Sequence, residues 1–283
     1  MRGWLLSFDA SLGRIVGAGQ VVTSPAIEAW MVNLSRDGTK LAFVSKRAGI
    51  AQTEEKSLQN DREAPLVADA DAYLRDFPQW SPEGGRLVYV RGRYSTGQSQ
   101  LMVWFRDSRD EQPLTSPGHT LVRVCDWSAD GKWIMIGQGN DSSGLTELWK
   151  LPVAAAPVAQ ASAVKVAADP ACSLFQGHFS PDGQSIVFER VRNRPTGQES
   201  ILYVMRTAGG PWIPITENKY WSDKPRWSPD GKIIYFLSTR QGFLNVWGIH
   251  FDAATGKAVG ERFPVTAFDS PNLAPSSGQG DPV

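Results

Sequence analysis

One short phrase recurs five times and constrains the fold more than any other feature of the chain. It reads Leu34-Ser35-Arg36-Asp37-Gly38, Trp80-Ser81-Pro82-Glu83-Gly84, Trp127-Ser128-Ala129-Asp130-Gly131, Phe179-Ser180-Pro181-Asp182-Gly183 and Trp227-Ser228-Pro229-Asp230-Gly231. Successive serines are 46, 47, 52 and 48 residues apart. A repeat of roughly 40–50 residues is the length of one four-stranded propeller blade. The phrase itself is turn chemistry. An aromatic or Leu closes one strand, Pro presets φ, Asp accepts turn N–H groups and Gly takes positive φ.

Each phrase is followed by a run rich in β-branched and aromatic residues, such as Arg86-Leu87-Val88-Tyr89-Val90 or Ile233-Ile234-Tyr235-Phe236-Leu237. That composition reads as a second strand. A Gly-bearing loop follows, then a third strand, clearest at Leu101–Phe105, Ile201–Met205 and Asn245–Ile249. A short fourth strand ends in Pro-Leu-Thr, Pro-Ile-Thr or Pro-Val-Thr. Blade 1 is weak here, because Gln52–Asn60 is polar where its third strand is expected. Blade 3 carries an Ala/Val/Pro-rich insertion at Pro152–Val166. The Trp-Ser-Pro-Asp-Gly-Lys phrase with its apolar strand resembles the TolB-like, WD-type β-propeller repeat over about residues 4–269.

A second internal match joins the two ends of the chain. Phe8-Asp9-Ala10-Ser11-Leu12-Gly13-Arg14-Ile15-Val16-Gly17 aligns with Phe251-Asp252-Ala253-Ala254-Thr255-Gly256-Lys257-Ala258-Val259-Gly260, an offset of 243 residues. Residues 4–23 therefore read as the last two strands of a blade. The expected fold is an all-β, six-bladed propeller, incompletely closed. It has the half blade at 4–23 and whole blades at about 28–68, 74–115, 121–169, 175–217 and 222–267 within one domain, 1–269. The Pro/Ser/Gly-rich tail, 270–283, holds no β-rich run to complete the half blade. An open sheet edge is a liability, so the expectation is a fragment of a longer polypeptide, or a seam covered by something else.

Composition removes several function classes. Lys+Arg and Asp+Glu are 29 each, a balance unlike that of a protein living on the nucleic-acid backbone. No run approaches the ~18 apolar residues of a membrane helix. The N-terminal apolar stretch is too short to read as a signal peptide, and the sequence assigns no compartment. Cys125 and Cys172 are the only cysteines, which leaves no disulfide framework and no zinc cluster. Gly-x-Ser-x-Gly, His-Glu-x-x-His and a phosphate loop are all absent. The turn aspartates are one per blade and read as caps rather than converging metal ligands. Asp69, Asp71 and Asp76 lack the Gly and terminal Glu of a calcium loop, and His119 falls in a Pro-Gly loop. No cofactor, metal site or catalytic residue is expected.

Strand direction alternates, so the loop after strand two and the connector into the next blade share one face. Twelve residues after each core Ser stand Arg47, Arg93, Asn140, Arg192 and Arg240. The same face receives Arg75-Asp76-Phe77, Arg123, Asp126 and Tyr220-Trp221-Ser222-Asp223. His178, two residues before Ser180, lies near the channel and reads as a packed loop histidine or a ligand contact. Two readings of the arginines stand side by side. They tie blade to blade, or they form an Arg/aromatic partner site with Arg47, Arg93, Arg192, Arg240, Asp76, Arg123, His178, Trp221 and Asp223. Trp80, Trp127 and Trp227 recur in register as packing residues, and Trp221 falls outside it.

The resemblance implies more than the residues do. TolB-like propellers bind an outer-membrane lipoprotein in the periplasmic Tol system. They also form C-terminal sensor portions behind bacterial winged-helix or Ser/Thr kinase domains, which the Phe-Asp-Ala-x-x-Gly segment is most similar to. The expectation is a non-catalytic binding, scaffold or sensor module for a protein partner or a linked signalling domain, with no direct nucleic-acid contact. The alternatives are the substrate-gating propeller of a prolyl-oligopeptidase-like peptidase, and a propeller holding a small ligand at its channel mouth. A lyase would need clustered metal-binding histidines, and His119, His178 and His250 are scattered.

Overall fold

The structure, a computed structural model, describes residues 4–9, 14–23, 28–47, 49–67, 73–93, 96–118, 122–153, 162–195 and 197–269. Its named elements are all strands. Four short ones come first: β1 (Trp4–Leu5), β2 (Phe8–Asp9), β3 (Arg14–Ile15) and β4 (Gln20–Val21). Five four-stranded sheets follow, each with its strands side by side in chain order. Sheet 1 holds β5 (Ala29–Leu34), β6 (Lys40–Arg47), β7 (Ile50–Ser57) and β8 (Glu63–Pro65). Sheet 2 holds β9 (Leu74–Trp80), β10 (Arg86–Arg93), β11 (Gln98–Phe105) and β12 (Glu111–Pro113). Sheet 3 holds β13 (Val122–Trp127), β14 (Trp133–Gly139), β15 (Thr146–Pro152) and β16 (Val164–Ala167). Sheet 4 holds β17 (Ser173–Phe179), β18 (Ser185–Arg194), β19 (Gly197–Arg206) and β20 (Ile213–Pro214). Sheet 5 holds β21 (Ser222–Trp227), β22 (Ile233–Ser238), β23 (Asn245–Asp252) and β24 (Lys257–Pro264).

The chain divides into two compact units. The first is Met1–Leu5, Gly19–Asp141 and Trp149–Val164; the second is Leu6–Ala18, Ser142–Leu148 and Lys165–Val283. The core of the first gathers Val88, Val90, Leu101, Val103, Val124, Trp127, Ile134 and Ile136, with a neighbouring cluster around Trp80, Tyr89 and Trp104. The core of the second gathers Val187, Leu202, Val204, Ile234, Phe236, Trp247 and Ile249. Alternation along each strand supplies these side chains, because every second residue of a strand points the same way.

The five repeated phrases form one turn built five times. Gly38, Gly84, Gly131, Gly183 and Gly231 have φ between 69° and 72°. Each donates its N–H to the carbonyl of the Ser three residues earlier, at 2.8–2.9 Å. In the four phrases that carry Asp, the serine hydroxyl donates to that carboxylate at 2.5–2.6 Å. In all five, the hydroxyl accepts the N–H five residues on, at 2.9–3.0 Å. The serine hydroxyls hold the Asp37, Asp130 and Asp230 carboxyls below their usual range. These aspartates are caps, each spent within its own turn.

The end-to-end match of the sequence reappears as identical pairing. Trp4 opposes Val21 and Phe8 opposes Ile15; 243 residues on, Trp247 opposes Pro264 and Phe251 opposes Ala258. The two N-terminal pairs thus carry the register of β23 with β24.

Blade 1 departs from expectation. Its polar third strand is a full strand, β7, in continuous register with β6 from Lys40↔Ser57 to Arg47↔Ile50. Gln52, Thr53, Glu54, Glu55 and Lys56 are all buried in it. Each has a partner. Gln52 donates to the Tyr73 carbonyl at 2.7 Å, and Thr53 to the Arg75 carbonyl at 3.1 Å. Glu54 accepts the Ser45 hydroxyl at 2.8 Å, Glu55 pairs with Arg106 at 2.6 Å, and Lys56 with Asp61 at 2.7 Å. Polarity hid this strand because burial is normally read from apolar residues. Paired polar groups can be buried as well.

Candidate functional site

The first strand of each four-stranded sheet is interrupted by a bulge just before the Trp/Phe/Leu-Ser phrase. The register slips between Trp30 and Asn33, and likewise in the other four sheets. Met31, Phe77, Gln176 and Lys224, each four residues before the core Ser, have φ between 51° and 56°. Bulges re-aim side chains. Here they turn a polar residue, two before the Ser, toward its neighbour. In the first unit Asn33 donates to Gln79 at 2.7 Å and accepts the Trp80 N–H at 2.9 Å. In the second, Arg226 bonds the buried His178 ring, and the Trp227 indole donates to the His178 carbonyl at 3.1 Å. His178 is thus a packed, bonded residue within the fold.

At the connector end of sheet 2, Arg93 lies over the Tyr73 ring at 4.3 Å and Arg91 over the same ring at 4.9 Å. Arg91 also pairs with Glu111 at 2.6 Å and bonds Gln100 at 2.8 Å. Among the described residues the buried Nε groups of Arg91 and Arg93 have no hydrogen-bond partner. Arg75 is only 1% exposed, bonded to Gln52 at 3.0 Å and 3.5 Å from Glu111. Arg75 therefore sits inside the sheet packing rather than on the face, where the sequence suggested it. Asp76 accepts the Phe77 N–H at 2.8 Å. Burial pushes its carboxyl up, against the pull of that N–H and of Arg123. Arg123 is lowered by burial and lies 6.0 Å from the Phe77 ring.

The second unit repeats the arrangement at sheet 5. Arg240 lies over the Tyr220 ring at 4.9 Å and 5.8 Å from the Trp247 ring, and its buried Nε has no hydrogen-bond partner among the described residues. Its guanidinium bonds Glu217, which Arg262 meets at 3.1 Å. Burial pushes Glu217 up, yet the Arg240 hydrogen bond and the Arg262 charge outweigh it and keep its carboxyl below the ordinary value. Tyr73 and Tyr220 both stand eight residues before their core Ser, and Arg93 and Arg240 both stand twelve after it. That shared spacing of tyrosine and arginine was present in the sequence and went unread. Arg192 is half-buried, and its charge is felt by Cys172. Trp221 is half-buried. Only the backbone of Arg47 is described; its side chain, Asp69, Asp71 and His119 lie outside the described residues.

Asp223 reveals a pair the sequence reading missed. It is 6% exposed and hydrogen-bonded to Glu189, which is 4% exposed. Burial, then the Asp223 charge, push Glu189 well above the ordinary carboxylate range. Asp223 is raised by burial as well, against Lys224 and Arg226. Ser200 donates to Glu189 at 2.8 Å, and Asp223 accepts the Lys224 N–H at 2.5 Å. Burial and the neighbouring carboxylate thus both favour the protonated form of Glu189. The signal was positional. Nine residues after the core Ser the blades carry Val44, Val90, Gly137, Glu189 and Leu237, an acid in an apolar column.

Among the described residues no three His, Cys, Asp or Glu side chains gather into a metal-holding group, and no helix is long and apolar enough to cross a membrane. No family model matches the chain. It is 33% identical over 91 residues to an uncharacterized protein of Agrobacterium fabrum, 30% of each chain. It is 31% identical over 72 residues to the uncharacterized peptidase YuxL of Bacillus subtilis, 25% of this chain and 11% of that one. The matches thus span less than a third of either relative's length. Among solved structures, a putative TolB from Agrobacterium tumefaciens superposes with a TM-score of 0.67 at 19% identity, covering 88% of this chain and 84% of that one. TolB from Acinetobacter baumannii gives 0.66 at 14%, covering 82% and 54%. An oligogalacturonate lyase from Vibrio parahaemolyticus gives 0.61 at 13%, covering 93% and 72%. The repeated Ser-turn sheets and these superpositions together make the fold of this chain that of a TolB-like β-propeller.

Proposed function

We propose that the chain is a non-catalytic binding module that docks a protein partner, or a linked signalling domain, on the connector ends of its sheets. The observation that carries this reading is the recurrent Arg-on-Tyr stack, Arg93 with Tyr73 and Arg240 with Tyr220. Stacking fixes each guanidinium before a partner arrives, so little rotamer freedom is left to lose on binding. Arginine and aromatic anchors are also the residues that dominate interface energetics.

Arg93→Ala and Arg240→Ala, each in the full chain, test it. Proteins captured from a lysate of the source organism are identified by mass spectrometry, purified, and titrated directly against wild type and variants. A true partner loses about 2 kcal/mol, roughly thirtyfold in Kd, with the variant of the unit it docks on. Equal affinities for wild type and both variants would overturn the reading. The 72-residue likeness to YuxL favours a second reading, a propeller gating a peptidase. In that case the captured protein is a hydrolase, and the variants change its choice of peptide length.

A further inference from the structure

A polar pocket of about 290 Å³ opens in the first unit, where the hairpin of β7 and β8 meets the turn between β11 and β12. Arg62, Arg106 and Arg109 line it together with Glu55. Glu55 is 8% exposed and takes Arg106 at 2.6 Å and Arg109 at 3.8 Å. Arg109 is further fixed by a 2.8 Å bond to the Pro65 carbonyl and by stacking 5.3 Å from the Trp104 ring. Two cations are therefore held in place by one buried acid. Arg62 is exposed, and its guanidinium has no partner among the described residues. Asp61 is occupied by Lys56 at 2.7 Å, and Asp107 and Asp110 do not line the pocket. The lining groups carry three positive charges against one negative. Ser57 and Gln59 add neutral hydrogen-bonding groups.

The acid that anchors the pocket sets blade 1 apart from blades 2, 4 and 5. Glu55 pairs with Ala42, seven residues after the core Ser; at the same register the third strands of blades 2, 4 and 5 carry Val103, Val204 and Gly248. A blade that needed only packing would carry an apolar residue there too. The acid in β7 organises guanidiniums, and guanidinium edges suit carboxylate or phosphate oxygens. The volume is near the lower end of small-molecule sites, roughly 300 Å³.

We propose that this pocket binds a small hydroxylated anion of the sugar-phosphate kind. Its charged head sits on Arg62 and the outward edges of Arg106 and Arg109, and its hydroxyls on Ser57 and Gln59. Isothermal titration of the full chain at low ionic strength tests this with glucose 6-phosphate, inorganic phosphate and glucose. The variants are Arg62→Ala and, as a control exposed elsewhere on the same unit, Arg36→Ala. Both melt like wild type, since neither side chain is packed. Saturable binding of glucose 6-phosphate, weakened at least tenfold by Arg62→Ala and unchanged by Arg36→Ala, is the expected result. No saturable binding of either anion, or equal loss in both variants, overturns the proposal. Phosphate alone binding as tightly as glucose 6-phosphate overturns its hydroxyl half.

Discussion

Replacing Glu189 with Gln isolates the free energy of one buried proton. In the folded chain burial and the Asp223 charge favour the protonated form of Glu189, while Ser200 donates to it and Lys224 and Arg226 act on the pair. In the unfolded chain it ionises near pH 4.3, like any exposed glutamate, at about that value. A carboxyl raised by folding makes the native state bind more protons than the unfolded state. Stability is then full below the unfolded range and falls as pH rises toward the folded value, by up to about 1.4 kcal/mol per pH unit. Gln presents the same donor to Asp223 and the same acceptor to Ser200, but has no proton to lose. At acid pH the two proteins should differ by less than about 1 kcal/mol. The gap should then widen in favour of Glu189→Gln, at up to about 1.4 kcal/mol per unit, as pH rises from the unfolded range toward the folded value. Urea unfolding followed by Trp fluorescence, at several pH values across that window, measures it. Curves that stay parallel within about 0.3 kcal/mol would mean that Glu189 is already ionised in the fold, and the account of the pair would be wrong.

Two further substitutions test the fold itself. Ser180→Ala removes the hydroxyl that accepts the buried Ser185 N–H at 2.9 Å, and should cost about 1–3 kcal/mol by chemical denaturation. A loss indistinguishable from zero would show that the turn does not depend on its serine. Gly248→Ala places a methyl 2.4 Å from the Phe263 ring. Moving that ring should cost about 1–3 kcal/mol, and a calorimetric midpoint equal to wild type would show that the ring moves freely.

The repeating parts of the molecule were legible because they are local. A Ser, an Asp and a Gly at fixed spacing dictate a turn whatever surrounds them, and five copies at blade spacing dictate five sheets. The 243-residue echo was legible down to its pairing register, because identical side-chain alternation in two hairpins leaves one way to pair them. The polar interior was not legible. Arg75, Glu54, Glu55 and Glu189 are buried against partners 9 to 51 residues away in the chain. Nothing in the local sequence says that such a partner exists. The arginines at the loop roots were found by counting from the serine. Tyr220 was placed on the same face, but its stacking on Arg240, and that of Tyr73 on Arg93, depends on how the connector folds back over the loop root, which no local pattern encodes.

A repeat supplies its own reference state, and the residues that break its columns are where the chain has been given something to do besides fold. Apolar contact between neighbouring sheets is non-directional. It holds blades together without deciding how each is seated on the next. Asn33 with Gln79, Gln52 with Arg75 and Tyr73, and His178 with Arg226 supply directional bonds between successive sheets. A buried polar group left unpaired is destabilising by more than its pairing contributes. Each of these pairs therefore penalises a misplaced neighbour more than it stabilises the correct one. Glu189 extends this logic to a proton, and Glu55 extends it outward: its carboxylate, held in the same kind of buried strand, organises arginines that face solvent. The step from specifying the fold to offering a site is one register position on β7, where a glutamate stands in a column that carries Val103 and Val204 in two other blades.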